Sequence, residues 1–154
     1  MRKDFMQRAI QLSIENIEKG GGPFGAIIVR DGEIIAESAN SVTNDNDPTA
    51  HAEVNAIREA CKKLSTYDLS GCQIFSSCEP CPMCLGAIYW ARLDKLHFAA
   101  SKNDAADSGF DDAFIYEELD LNYEDRKLDT NHYMREEAQK AFQKWGEFEA
   151  KSQY

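Results

Sequence analysis

Two apolar rows run along the start of the chain at helical spacing, Phe5, Ala9 and Leu12 on one and Met6, Ile10, Ile14 and Ile17 beside it. Their period predicts an amphipathic helix reaching Lys19, where Gly20-Gly21-Gly22-Pro23 stops it. The stretch FGAIIVRDGEIIAESAN then holds two apolar runs around Asp31-Gly32, a strong β-hairpin signal. Ser41 to Asp47 is polar and reads as a loop. Helical spacing returns from about Thr49 to Leu64 and closes on a turn at Asp68-Leu69-Ser70-Gly71. Gln73 to Ser77 reads as a short strand. CPMCLGAIYWAR reads as a helix with Pro82 at its first position and Cys81 as its cap. Lys95 to Ala100 is the next strand. DAADSGFDDAFIYEEL follows as a loop with short helices, EDRKLDTN has no assignable pattern, and YMREEAQKAFQKWGEFEA is a final amphipathic helix.

This order, a helix and a hairpin and then strands alternating with helices, predicts an α/β fold. It is read as one domain over residues 1–154 with a tail from about residue 120. Strands joined by a crossover helix run parallel, so the strands at Ile34, Gln73 and Lys95 are expected to share a direction. Such sheets gather ligands at the carboxyl ends of strands, where the next helices begin. The helix carrying His51 and the helix carrying Cys81 begin at that edge. If the sheet grows in one direction, the two helix starts are neighbours on one face.

Composition narrows the function. The chain of 154 residues is 43% hydrophobic and 29% charged, within the range of globular proteins. No apolar run approaches the about 20 residues that span a bilayer. The N-terminus lacks the uninterrupted apolar core of a secretory signal, so a cytoplasmic location and no membrane partner are expected. The formal charge of −10, with no basic stripe, weighs against nucleic acid as a partner. Five cysteines, Cys61, Cys72, Cys78, Cys81 and Cys84, make an odd count with three at tight spacing. That pattern points to metal or redox chemistry rather than to a disulfide framework. Cys61 is expected in the core, Tyr89 and Trp90 in the core or an interface, His97 in a strand without a chemical role, and His132 in solvent.

Residues two apart do not share a helix flank. His51 and Glu53 can nevertheless share a target lying off the helix end. Cys81 and Cys84, three apart, lie on one face of the other helix start. One imidazole and two thiolates suit zinc and leave its fourth position open, which distinguishes a catalytic ion from a structural one. A helix N-terminus favours the thiolate form. Zinc lowers the pKa of bound water toward about 7, and a nearby carboxylate such as Glu53 can carry protons. His-x-Glu followed by Pro-Cys-x-x-Cys is the pattern of zinc-dependent nucleobase deaminases.

At these residues the chain resembles the cytidine deaminase-like superfamily and, more narrowly, its short bacterial guanine deaminases. GGPFGAIIV, NDPTAHAEV and SSCEPCPMCLGAIYWAR resemble purine-directed members broadly, tRNA adenosine deaminases included; GFDDAFIY resembles the guanine branch. The likeness runs to about Glu118 and loosens from about Asp120. It implies a three-layer αβα sandwich with a mixed sheet and hydrolysis of guanine, a small purine substrate, to xanthine and ammonia. It implies one zinc per subunit held by His51, Cys81 and Cys84, with Glu53 as proton shuttle. It also implies Asn40 bonding the purine edge, Phe24 and Ala52 lining the base pocket, Asp112 assisting proton transfer to the departing amine, and Tyr154 closing over the site in a homodimer. The residues themselves leave other readings open. Cys78 could supply a fourth ligand to a structural zinc module; the substrate could be guanosine or a tRNA adenosine, with aminated triazines as side substrates.

Overall fold

In the computed structural model, which describes residues 2–154, Asp31 and Gly32 both take positive φ, 52° and 82°. These are type I′ turn angles, and they match the twist of the strands they join. The hairpin they form, β1 (Gly25–Arg30) and β2 (Glu33–Ala39), follows helix α1 (Arg2–Glu18). Then come α2 (Val42–Asp45), α3 (Ala52–Leu64), β3 (Cys72–Cys78), α4 (Pro82–Trp90), β4 (Lys95–Ala100) and α5 (Lys102–Asp107). The chain divides into a unit ending at Asp112 and a unit Ala113–Tyr154.

The first unit is built on a sheet of order β2-β1-β3-β4. β1 is antiparallel to both β2 and β3, and β3 is parallel to β4. The strands expected to share a direction therefore do so, but β1 lies between β2 and β3. The hairpin's first strand takes the central place because it is apolar on both faces. Ala26 and Ile28 face a cluster holding Ala52, Ala56, Ala60 and Ile88, while Ile27 and Val29 face a cluster holding Ala9 and Phe75. Helices α3 and α4 thus cover one face and α1 the other, giving the expected three-layer αβα arrangement.

Three expectations are corrected. Ser41 to Asp47 contains the one-turn helix α2. Helix α3 begins at Ala52 rather than Thr49, because the Asp47 carboxylate accepts from both the N–H and the hydroxyl of Thr49 in an Asx turn. In α1, Ile14 and Ile17 are each 57% exposed, whereas the polar Ser13 and Asn16 are buried. Tyr89 and Trp90 are exposed, which leaves an interface, of the two places expected for them. Cys61 packs against the core and His97 sits in β4 stacked on Phe75, as expected.

The second unit holds α6 (Ala113–Leu119), a 3₁₀ turn at Tyr123–Asp125 and α7 (Arg135–Glu147). The stretch without a pattern is largely irregular beyond that turn. Arg126 donates to the Glu118 carbonyl at 3.2 Å and lies over the Tyr123 ring. No described residue of this unit is buried.

Candidate metal centre

His51 is the N-cap of α3 and Cys81 the N-cap of α4, each with extended backbone. Pro82 occupies the first turn of α4, where its missing N–H costs nothing, and it starts the helix directly after Cys81. Cys84 lies one turn along the same helix and is fully buried. The two starts meet: His51 Nδ1 lies 3.5 Å from Cys81 Sγ and 3.4 Å from Cys84 Sγ. The three ligand atoms all lie within 4.8 Å of one another.

That geometry fits zinc. Bonds of about 2.0–2.1 Å to nitrogen and 2.3 Å to sulfur at a tetrahedral angle put the two atoms about 3.5 Å apart. The electrostatics fit as well. Cys81 is pushed down to about 4, first because the Cys84 thiol donates to it and then because His51 lies beside it. The same sharing pushes Cys84 up, and contact with Cys81 pushes His51 up against the effect of burial. One thiolate, one thiol and one imidazole thus hold a proton between them, and a divalent cation can take its place.

Glu53, in the first turn of α3, is 6% exposed, and its Oε1 accepts from the Ser76 hydroxyl at 3.0 Å. Burial raises its pKa, which the hydrogen bonds from Ser76 and Cys84 oppose. Burial thus favours the protonated form more than in a solvated carboxyl, which suits a group that carries protons. Asp112 is also raised, first by burial and further by the charge of Cys81, which puts it within electrostatic reach of the cluster.

Cys78 stands apart. Its Sγ approaches the Ser101 carbonyl at 3.6 Å, it is absent from the three-residue group, and burial pushes it up to about 11. A four-ligand site through Cys78 is not what these positions form.

Asn40 follows directly after β2 and is 8% exposed. Its N–H donates to the Phe24 carbonyl at 3.0 Å and its Oδ1 accepts from the Val42 N–H at 3.2 Å. Phe24 meets Phe110 edge to face, with ring centroids 5.0 Å apart. Ala52 is fully buried at the start of α3. Tyr154 belongs to the second unit and is exposed there. Sequence reasoning missed Ser76 and Phe110. Phe110 lies inside GFDDAFIY and could have been singled out from that motif; nothing near Ser76 in sequence signals its partner, 23 positions away.

Residues 1–100 match the family model of the cytidine and deoxycytidylate deaminase zinc-binding region. The chain is 54% identical over 151 residues to the guanine deaminase of Bacillus subtilis (strain 168), covering 97% of each. It superposes on the X-ray structure of guanine deaminase from Bacillus subtilis with a TM-score of 0.98 and 52% identity, covering 100% of this chain and 99% of that one. It is also 41% identical to the tRNA-specific adenosine deaminase of Aquifex aeolicus (strain VF5), over 87% of this chain and 86% of that protein.

Proposed function

We propose that this chain, which belongs to the cytidine and deoxycytidylate deaminase zinc-binding family, is a guanine deaminase that hydrolyses guanine to xanthine and ammonia. The observation that carries the reading is the match to the guanine deaminase of Bacillus subtilis along nearly the whole length of both chains. It extends past residue 100, where the family model ends, and so takes in the GFDDAFIY stretch.

His51, Cys81 and Cys84 would hold the zinc, whose contribution when bound is to lower the pKa of a water. The chain's own residues do the rest. Glu53, fixed by Ser76, takes a proton from the water and delivers it to ring nitrogen 3 as the water oxygen bonds ring carbon 2 of guanine; it then takes the remaining proton from that oxygen and passes it to the amino nitrogen, which leaves as ammonia as its bond to carbon 2 breaks. Asp112, its pKa raised by burial, assists that second transfer. Asn40 bonds the purine edge, and Phe24 and Ala52 wall the base. The burial of Glu53 and Ala52 supports a site that excludes bulk water, where each hydrogen bond to the substrate counts for more. The part given to Tyr154 rests on the resemblance alone.

Exposed Tyr89 and Trp90 on α4 support a homodimer, to be measured by light scattering as twice the 17.4 kDa of one chain. Five free cysteines, and no helix among the described residues long and apolar enough to cross a membrane, are in keeping with a cytoplasmic enzyme.

Ammonia release from guanine, guanosine, adenine and cytosine, with and without a chelator, tests the assignment. Guanine is expected to be the preferred substrate, with turnover lost on chelation and restored by zinc. The likeness to a tRNA-specific adenosine deaminase makes an anticodon-loop RNA the necessary control. Inosine formed in that RNA, with guanine untouched, would overturn the proposal.

A further inference from the structure

The run Gly20-Gly21-Gly22 and the buried polar end of α1 have no part in the chemistry above, yet they meet at Asn40. Asn16, on the last turn of α1, is 6% exposed. Its Nδ2 donates to the Gly22 carbonyl at 2.8 Å and to the Asn40 carbonyl at 2.7 Å. The Gly22 carbonyl also accepts from Phe24 N–H at 2.8 Å, and the Phe24 carbonyl accepts from Asn40 N–H. The backbone of Asn40 is therefore tied on both its N–H and its carbonyl. The packing explains the glycines. A Cβ on Gly21 would lie 2.2 Å from Asn16 Nδ2 and 2.5 Å from the Asn40 carbonyl oxygen; one on Gly22 would lie 3.3 Å from Asn40 Oδ1.

A second amide works from the other helix layer. Asn55, in α3, points Nδ2 at the Ala39 carbonyl (3.0 Å), the Ser41 hydroxyl (3.0 Å) and the Ala50 carbonyl (3.3 Å). Two protons are shared among three acceptors, and these acceptors flank Asn40 and precede His51. A buried amide costs stability unless it is bonded, and both asparagines are bonded to the same short segment.

We infer that Asn16 and Asn55 are positioning residues for purine recognition, clamping from opposite helix layers the backbone that presents Asn40. The inference rests on the reading of Asn40 as a base-binding residue. Neither side-chain amide bonds a ligand atom of the zinc site, and the Asn55 N–H meets only the His51 carbonyl, as a helical bond of 2.9 Å, so each side chain acts through Asn40 and through the spacing between Asn40 and Phe24. Small misplacements of a recognition group carry large kinetic penalties, which makes the clamp worth its buried polar atoms.

The test is a double-mutant cycle on zinc-loaded enzyme, with kcat and KM for guanine, zinc content and thermal midpoint measured for Asn16→Ala, Asn55→Ala, Asn40→Ala and the doubles with Asn40→Ala. Each clamp variant is expected to keep its zinc and raise KM about tenfold, with a smaller change in kcat. Each double is expected to be no worse in KM than Asn40→Ala alone, because a clamp has nothing left to position. A lower midpoint with unchanged KM, or penalties that add in the doubles, overturns the inference. If Asn40→Ala leaves KM unchanged, the base-binding reading of Asn40 fails first and takes the clamp with it. Should Asn16→Ala not fold, the less buried Asn55 decides by the same criteria, with Asn55→Ser, which keeps one donor, expected between wild type and Asn55→Ala.

Discussion

In the unit ending at Asp112, strands β1 to β3 bury apolar side chains and the polar Asn40, Glu53 and Ser76 are buried with them, whereas in the unit Ala113–Tyr154 no described side chain is buried at all. Phe142 and Tyr133 are 75% and 77% exposed. The contrast teaches where chemistry can be held. A buried carboxyl such as Glu53 keeps one geometry because the sheet residue Ser76 and the helix start fix it from two sides. An exposed aromatic residue has no such partner layer within its own unit, so substitutions there should act weakly on stability.

The largest effect is expected at Glu53. Glu53→Ala should keep zinc and lower kcat by roughly 10²–10⁴, the range for loss of a general acid–base group. Zinc analysis beside steady-state kinetics checks it; wild-type turnover would take Glu53 out of the reaction. Ile28, fully buried in the central strand, comes next: Ile28→Ala should cost about 2–5 kcal/mol in denaturant unfolding.

Thiol chemistry sharpens the contrast within the first unit. In metal-free protein, neutral pH lies above the Cys81 pKa of about 4, so Cys81 is thiolate, and below the Cys78 pKa of about 11, so Cys78 stays protonated. Iodoacetamide should therefore label Cys81 first, and zinc should protect it; mass spectrometry of the labelled peptides reads the order. Cys78→Ser should retain both zinc and turnover.

Much of this region was legible beforehand, for local reasons. Asp31-Gly32 specifies its turn by itself, and Pro82 after Cys81 starts a helix whatever the surroundings. His51 and the cysteines were legible because each marks the start of a crossover helix, and topology brings such starts together. What was not legible depends on distant partners. Ser76 gains its role from Glu53, and Asn16 from Asn40, 24 positions away. The apolar rows of α1 misassigned Ile14 and Ile17, because the buried face of its last turns is polar: Ser13 donates to the Ile10 carbonyl of the helix, and Asn16 to loop carbonyls that no periodicity reveals. The central place of β1 likewise comes from pairing on both edges, which a hairpin signal does not specify.

The C-terminal unit gives the smaller effects. Removing residues 151–154, and with them Tyr154, should lower kcat a few-fold with zinc retained; unchanged kinetics would remove Tyr154 from the proposed site. Phe142→Ser should change unfolding free energy by no more than about 0.5 kcal/mol, as for most surface substitutions. A loss comparable to that of Ile28→Ala would show that Phe142 is covered in the native assembly, and the contrast between the units would then be one of partners rather than of burial.

The central claim is that one imidazole and two sulfurs, brought together by two helix starts, hold zinc with a corner left for solvent. X-ray absorption at the zinc edge of the loaded enzyme tests it directly. The account predicts two sulfur neighbours, one imidazole nitrogen and one light-atom ligand that a substrate analogue displaces. Three sulfur neighbours, or four protein ligands with nothing displaceable, would contradict it.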